Sequence, residues 1–187
     1  MAHRGVLFMD ELPEFNRTAL EALRMPIEDG EVLVSRAAGS VCLPARCMVV
    51  AAMNPCPCGL AGDAERECTC TPQRLHAYRA RVSGPLLDRF DLRVEAPRAE
   101  AHAAAGEPTA AVAERVLMAG RRLAERPPPV ATDAVGILAR AVDRMLLSGR
   151  GADRARRVAV TIAALEGAES VTGDHMAEAL SFRGTGP

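Results

Sequence analysis

Apolar residues in the first half of the chain fall into short continuous runs, each closed by a polar residue or a proline. GVLFMD at 5–10 and CMVVAAMN at 47–54 are the first two, and the second ends in Asn54. Runs of this kind are typical of strands covered on both faces, as in parallel α/β sheets. DLRVEAP at 91–97 predicts a third strand, which Pro97 closes. With helical segments between the runs, the pattern predicts an α/β fold.

The segment between the first two runs predicts a helix and a hairpin. TALEALRMPI at 18–27 has apolar residues at helical spacing, and Pro26 should terminate or kink that helix. EVLVSRAAGSVCLP at 31–44 alternates in polarity around a Gly-containing tip near Arg36, as a β-hairpin does. The apolar residues expected to face one another across this hairpin are Val32, Val34, Val41 and Leu43.

The sequence changes character after Pro97. Ala-rich helical sequence is followed by a PPP break at 127–129, and Asp133 and Thr172 are predicted caps or near-caps of later helices. Helices are predicted at about 108–126, 132–147, 151–168 and 173–182. We therefore expect three parts: an α/β part at 1–97 with a Cys-rich loop at 55–71, a linker and connecting helix at 98–131, and a helical domain at 132–187.

Composition excludes several classes of protein. With 187 residues, 49% of them hydrophobic, the chain can bury a core, so it is not a disordered protein. The formal net charge is -1, so nucleic-acid binding would need a local basic patch. The 23 basic residues are all Arg, which codon bias explains. Without a membrane-spanning stretch or signal-peptide pattern, the chain is expected to be cytoplasmic, where cysteines bind metals or stay reduced.

Two adjacent carboxylates, Asp10 and Glu11, follow the first predicted strand. Ligands bind at the carboxyl ends of strands in open α/β sheets. Asp10 could hold Mg²⁺ while Glu11 orients or deprotonates a water for attack on a phosphoryl group. The alternative is a strand that leads into an acidic, helix-capping loop, and residues 5–12 alone leave both open.

Four motifs together resemble the magnesium-chelatase-like AAA+ ATPases, most closely the ComM/YifB branch, which is related to hexameric helicases. The motifs are HRGVLFMDELPEF, VVAAMNPCPCG, SGPLLDRFDL and LSGRGADRARRVAVTIAALEG, in that order and spacing. The resemblance spans nearly the whole chain. It implies a partial AAA+ P-loop NTPase core, from the Walker B strand onward, followed by a small all-α lid.

The resemblance implies roles for residues that would surround ATP and Mg²⁺. Asp10 and Glu11 match the Walker B pair, and Asn54 matches sensor 1, which hydrogen-bonds the attacking water or the γ-phosphate. Arg89 matches the arginine finger, which acts on a nucleotide in the neighbouring subunit of a ring. Arg150 falls at sensor 2, a nucleotide-binding position.

The residues alone also allow simpler interpretations. Asn54 could form a turn before Pro55, and Arg89 could pair with Asp88 or Asp91 on the surface. Arg154 could replace Arg150 at sensor 2, or the basic run that it begins could be a solvated helix face. Glu14 and Phe15 belong to the same motif as the Walker B pair, and we expect them only to shape the start of a helix.

The hairpin around Arg36 resembles the pre-sensor hairpin that points into the central pore of this family. DNA threading that pore would meet Arg36 through its phosphates. The alternative is a solvent-exposed tip with no ligand.

The cysteines form a second constellation. Two Cys-x-Cys pairs lie nine residues apart on a Gly-containing loop: Cys56, Cys58, Cys68 and Cys70. Four thiolates can hold a structural Zn²⁺, with free thiols in a flexible loop as the alternative. Cys42 and Cys47 are expected in the core. No role in catalysis is assigned to His3, His76, His102 or His175, because none pairs convincingly with a carboxylate or Cys.

The phosphate loop of the family, which ends in Lys and Ser or Thr, has no counterpart in this Lys-free sequence. Its strand would lie between 47–53 and 91–96, so its absence should leave exposed strand edges and apolar faces. We therefore expect the C-terminal part of a longer ATPase, inactive by itself. The intact protein would be a DNA-dependent hexameric helicase or branch-migration motor; the alternatives are a magnesium chelatase ATPase subunit and a non-enzymatic remnant or zinc-stabilised binding module.

Overall fold

A computed structural model describes residues 2–37, 39–63, 65–96, 106–145 and 147–184. The chain divides into two units, the first ending at Phe90 and the second beginning at Asp91. Pro97 lies outside the described residues, and so do residues 98–105 of the predicted linker, which include His102. The predicted three-part division stays a prediction.

The first unit contains two small sheets. Strand β1 (Val6–Met9) pairs in parallel with β4 (Met48–Ala51), so that Met9 lies opposite Ala51. Strands β2 (Glu31–Arg36) and β3 (Gly39–Pro44) form an antiparallel hairpin. Its register pairs Val32 with Leu43 and Val34 with Val41. The two predicted strands and the hairpin are therefore confirmed.

The predicted helix at 18–27 is kinked rather than ended by Pro26. It forms as α1 (Arg17–Ala22) and α2 (Arg24–Asp29), separated at Leu23. Pro26 has no N–H to donate and its ring crowds the carbonyl of Ala22, which accounts for a break one turn earlier. Gly30 ends α2 with a φ of 71°, and a Cβ there would lie 2.6 Å from Cγ of Arg46. Glycine meets both constraints.

One face of the β1–β4 sheet is buried and the other is exposed. The core of this unit consists of Met9, Leu12, Leu20, Val82 and Leu86. Val6 and Phe8 point the other way and are 59% and 61% exposed. Met48 and Val50, opposite them, are exposed too. The expectation that β1 is covered on both faces is wrong for the described part of the chain, because no described element packs over that side.

The predicted third strand is not formed. Residues 91–96 have no regular secondary structure, and the N–H of Arg93 instead donates to the carbonyl of Phe182 at 2.9 Å. An extended segment becomes a strand only beside a partner that accepts its hydrogen bonds. Within the described residues no strand lies beside 91–96. The prediction failed because strand formation depends on a neighbour, which the local sequence does not supply.

Helices α3 (Pro72–Arg79) and α4 (Gly84–Leu87) complete the first unit, and the second unit is helical as predicted. Its helices are α5 (Thr109–Glu125), α6 (Thr132–Met145), α7 (Gly149–Glu166) and α8 (Gly173–Ser181). Its core is rich in alanine, and the buried alanines are Ala134, Ala141, Ala155, Ala159, Ala163 and Ala179. Among the described residues, no helix combines the length and apolarity needed to cross a bilayer.

Both predicted caps bind N–H groups at the start of α8. Thr172 is its N-cap residue, and the Thr172 N–H donates to Nδ1 of His175 at 2.9 Å. Asp133 lies in the first turn of α6, but its Oδ2 accepts the N–H of Gly173 at 2.7 Å. Asp133 therefore caps α8 instead of its own helix, α6. The N–H groups of Gly173 and Ala134 hold the pKa of Asp133 below its ordinary value, because both favour the carboxylate.

We predict that Asp133→Asn weakens the second unit in a pH-dependent way. The Asp133 carboxylate stabilises the fold above the pKa of an unfolded Asp, about 3.9, and this contribution is lost as the pH falls through the lower folded-state pKa. Thermal unfolding should show a Tm roughly 2 to 4 °C lower at pH 7, with a gap that closes below pH 4.

Asp143→Asn is the matched control, because Asp143 is an exposed residue of the same helix. It should leave the pH dependence of the Tm unchanged. Identical pH profiles for the Asp133 and Asp143 variants would contradict the assigned capping role.

Candidate functional site

The carboxyl ends of β1 and β4 meet at one edge of the parallel sheet. Asp10 and Glu11 follow β1 directly, and Asn54 lies three residues beyond the end of β4. Ala52 ties the two exits together: its N–H donates to the Met9 carbonyl at 2.8 Å, and its carbonyl accepts from Leu12 at 2.9 Å. The structure thus brings both predicted acidic residues and the predicted sensor 1 residue to the same sheet edge, with all three exposed.

A left-handed backbone conformation turns the chain at Glu11. Its φ is 50° and its ψ is 47°, which is uncommon for a residue with a side chain. Oδ1 of Asp10 accepts the Glu11 N–H at 2.9 Å, and a short 3₁₀ helix (Leu12–Glu14) begins next. Such strained residues cluster at active sites and ligand clamps. The sharp turn buries Leu12 while both carboxylates stay in solvent.

Tyr78 is a buried aromatic residue of the first unit. Its ring is buried in α3, and burial raises the pKa of the Tyr78 hydroxyl, opposed by the hydrogen bond from the Asn54 backbone. Sequence reasoning missed Tyr78. The available signal was a single aromatic residue in the otherwise basic stretch QRLHAYRARV.

Arg89 is a buried residue in this structure. Its side chain is 8% exposed, its Nε donates to Oε2 of Glu28 at 2.9 Å, and its Nη2 donates to the same oxygen. Its Nη1 donates to the Pro85 carbonyl. The alternative of a surface pair with Asp88 or Asp91 is therefore wrong, because the partner is Glu28 of α2, which sequence reasoning missed. The arginine-finger role stays a prediction.

The two sensor 2 candidates have different surroundings. Arg150 is exposed in the first turn of α7. Arg154, one turn later, is buried, and its Nη1 donates to Oδ1 of Asp91 at 2.8 Å. The interpretation of this run as a wholly solvated face is wrong for Arg154, because it lies on the face that also buries Ala155. Which of the two arginines could contact nucleotide stays a prediction.

Four thiols converge on the loop after β4. The Sγ atoms of Cys56, Cys58, Cys68 and Cys70 all lie within 4.8 Å of one another. Cys56 is 3.3 Å from Cys58 and 3.7 Å from Cys68, and Cys58 is 3.6 Å from Cys68. A Zn–S bond of about 2.3 Å in a tetrahedron implies sulfur separations of about 3.8 Å. The four predicted ligands therefore fit a four-thiolate metal centre.

The loop backbone favours the thiolate form of Cys58 in this cluster. Hydrogen bonds from the backbone at Leu60 and Thr69 lower the pKa of Cys58 to about 6. The Ala61 N–H donates to Sγ of Cys56 at 3.3 Å. Thiolates are the form of cysteine that binds metals. The donor set is thus chemically suited to a soft divalent cation such as Zn²⁺.

The remaining cysteines and histidines lie elsewhere. Cys42 was expected in the core but is exposed on β3, where its thiol donates to Glu31 at 2.9 Å. This prediction failed because no described element packs over the face of the β2–β3 hairpin that carries Cys42. Cys47 is half-buried. His175 does contact a carboxylate, contrary to expectation, since its Nε2 is 2.9 Å from Oε2 of Glu166. His175 takes part in the N-terminal cap of α8. His102 lies outside the described residues.

Comparison with known proteins agrees with this arrangement. Residues 1–104 match the family model for magnesium chelatase, subunit ChlI, and residues 118–183 match the model for its C-terminal part. The chain belongs to the magnesium-chelatase-like AAA+ family. The mixed α/β unit followed by helices is consistent with that family's fold.

Several relatives align with almost the whole of this chain. An uncharacterised protein of Mycobacterium tuberculosis (strain H37Rv) is 44% identical over 99% of the chain. The competence protein ComM of Haemophilus influenzae is 40% identical over 98%, and YifB of Escherichia coli K12 is 38% identical over 98%. The chain spans about two fifths of the length of these proteins, 41%, 40% and 40% respectively.

We predict that Arg89→Ala lowers the free energy of unfolding of the first unit by about 3 kcal/mol, because it leaves the Glu28 carboxylate partly buried without its charged partner. Urea unfolding followed by circular dichroism measures this change. Arg74→Ala, at an exposed position of α3, is the control and should change stability by less than about 0.5 kcal/mol. Equal effects of the two variants would show that the Arg89 pair is energetically unimportant.

Proposed function

We propose that this chain supplies the water-activating and phosphate-sensing part of an ATP-driven AAA+ motor of the ComM/YifB type. The observation that carries the proposal is the shared sheet edge, where Asp10, Glu11 and Asn54 follow two hydrogen-bonded parallel strands. Asp10 would hold the Mg²⁺ of the bound nucleotide, and Glu11 would orient and deprotonate the attacking water. The Asn54 amide would hydrogen-bond that water or the γ-phosphate.

The motor would work as a ring, in keeping with a family whose members usually form oligomers. Arg89 would act on the nucleotide of the neighbouring subunit, and one of Arg150 and Arg154 would contact nucleotide within its own subunit. The hexameric form is part of this proposal. In a ring, Arg89 would have to exchange the Glu28 carboxylate for a phosphate, which is an exchange of one anionic partner for another.

DNA is the proposed substrate of the motor. Strand β2 ends in the exposed Arg36 beside the hairpin turn, and an exposed guanidinium at this position suits contact with backbone phosphates. Similarity to a competence protein over nearly the whole chain supports DNA over a porphyrin as the substrate. The magnesium chelatase alternative would instead require ATP hydrolysis that is insensitive to DNA.

A structural Zn²⁺ is the proposed occupant of the cysteine centre. Four thiolates fill the coordination sphere, so no position stays open for catalysis. The ion would cross-link a loop that has no helix or strand among its described residues between β4 and α3. Its contribution would be to folding of the loop rather than to chemistry at the phosphate.

We predict that the 187-residue chain alone binds ATP negligibly. The sequence has no Lys and no Gly-rich phosphate loop, so the groups that cradle the β- and γ-phosphates are missing from it. Fluorescence anisotropy with a labelled ATP analogue tests this. Saturable binding at micromolar concentrations would contradict the prediction.

Joining the chain to the phosphate-loop part of its Haemophilus ComM relative should restore hydrolysis that branched DNA stimulates. Asp10→Asn and Glu11→Gln should each lower the rate at least about 100-fold, because they remove the metal ligand and the base. Glu14→Gln is the matched control, since Glu14 is an exposed carboxylate of the same segment that pairs with Arg81. A folded hybrid without activity would favour the non-enzymatic remnant.

A further inference from the structure

Helix α3 lies in a basic segment that has no acidic residues. Residues 68–87 contain Arg74, Arg79 and Arg81 but no Asp or Glu, so three positive charges and no negative ones give this segment a formal charge of +3. The whole chain, in contrast, has a formal charge of -1. This segment is therefore a local basic patch of the kind that a chain without net positive charge needs in order to bind a polyanion.

Two of these arginines are not neutralised by a carboxylate. Neither Arg74 nor Arg79 takes part in an ion pair within the described part of the chain, and Arg81 pairs with Glu14 at 2.8 Å. Elsewhere carboxylates bind several of the arginines, namely Arg24, Arg89, Arg115, Arg154 and Arg157. A basic helix face can be merely solvated, so the patch alone does not identify a ligand.

A groove beside α3 is the second observation. It encloses a cavity of about 420 Å³ between α3 and the start of α4, which is within the size range of pockets that bind small organic groups. Positions 72, 75, 76 and 79 of α3 line it, as expected for residues that share one helix face. Its lining combines apolar side chains with two cationic or aromatic ones and includes no carboxylate: Leu75, Val82, His76 and Arg79.

This lining suits a nucleobase. A base has flat faces that stack on imidazole rings and on guanidinium planes, and here His76 and Arg79 border the same cavity as the apolar Leu75 and Val82. A duplex hides the faces of its bases, whereas a single strand can turn a base outward. An acidic peptide would neutralise the arginines, but it does not carry a flat ring beside each charge. The shape and the charge of the groove together therefore favour a single-stranded nucleic acid.

We propose that the groove between α3 and α4 binds single-stranded DNA, with one unstacked base beside His76 and Arg79 and a neighbouring phosphate on Arg74. The choice of DNA rests on the proposed function, and the groove adds a second contact to the one proposed at Arg36. Binding in the groove needs no ATP. It is therefore tested on the 187-residue chain itself, and an inactive hybrid ATPase would leave this test unaffected.

Fluorescence anisotropy with a labelled oligo-dT of about 12 nucleotides measures the binding. The titrations are made at pH 8, so that a histidine contributes a ring rather than a charge, and at NaCl concentrations from about 50 to 200 mM. Two competitors of the same length share its phosphates: an abasic strand, which has no bases, and a duplex, which has no accessible base faces. We expect oligo-dT to bind at least about fivefold more tightly than either of them, because only oligo-dT can stack a base in the groove.

Three variants separate phosphate contact from base stacking. Arg74→Ala should weaken binding about threefold and reduce the slope of log affinity against log salt by about 0.7, because one phosphate contact is lost. His76→Ala should weaken binding about fivefold without changing that slope, because it removes a stacking surface. Arg121→Ala, at an exposed position of α5, is the control and should change neither quantity. Because Arg74 is exposed, its variant should keep the stability of the unaltered chain.

Several results would overturn the proposal. Absence of saturable oligo-dT binding is the first. Equal affinity for the abasic strand would reduce the groove to a simple polyanion contact, and equal or higher affinity for the duplex would exclude an unstacked base. If Arg74→Ala and His76→Ala both behaved like Arg121→Ala while Arg36→Ala lost binding, the groove would be excluded and DNA would remain the proposed substrate through the hairpin.

Discussion

The parallel pairing of β1 with β4 is the constraint on which the candidate site depends. Parallel strands end on the same side of a sheet, so the residues that follow Met9 and Ala51 have to emerge together. The two hydrogen bonds made by Ala52 extend that pairing past the strands themselves. Two carboxylates and a carboxamide thereby share one edge, although 42 residues of hairpin and helix separate Glu11 from Asn54 in the sequence. Without that pairing, none of the proposed chemistry has a place to occur.

The same sheet leaves apolar surface exposed to solvent. Among the described residues only β1 and β4 pair in it, and the side chains of Val6 and Phe8 remain more than half exposed on one face. Exposed apolar patches of this kind lower solubility unless another surface covers them. The exposed face and the unformed strand at 91–96 both agree with the expectation that a neighbouring strand, supplied in the family by the phosphate-loop segment, is needed to complete the sheet. The geometry of the proposed site and the stability of the sheet therefore have different requirements: the site needs β1 and β4, and the sheet needs a further element over its exposed face.

Local patterns predicted most of the secondary structure, whereas pairings distant in sequence were missed. The alternation of apolar and polar residues predicted the hairpin register, in which Val32 faces Leu43. Helical spacing and the prolines predicted the later helices. The spacing of the cysteines predicted the thiol cluster. The Arg89 partner Glu28 was missed, because a single contact between residues far apart in the chain leaves no periodic pattern in the sequence. The strand at 91–96 was wrong for a related reason, since its sequence is suitable for a strand but its partner is not determined locally. The motif residues themselves were recognised only through the family resemblance.

The Glu28 contact changes how mutations of Arg89 have to be interpreted. A guanidinium that is 8% exposed and bonded to a carboxylate contributes to the fold, so losing it disturbs α2 whatever its role in a ring. Helix α2 leads through Gly30 directly into the β2–β3 hairpin, so a disturbance at Glu28 also reaches the base of the hairpin that carries Arg36. Loss of activity in an Arg89 variant would therefore not by itself identify an arginine finger. Glu28→Gln separates the two roles, because it removes the charge of the partner while keeping the guanidinium. If Arg89 is purely structural, Glu28→Gln and Arg89→Ala should lower stability and activity in parallel. If Arg89 also acts as a finger, Glu28→Gln should retain activity that Arg89→Ala loses at comparable stability.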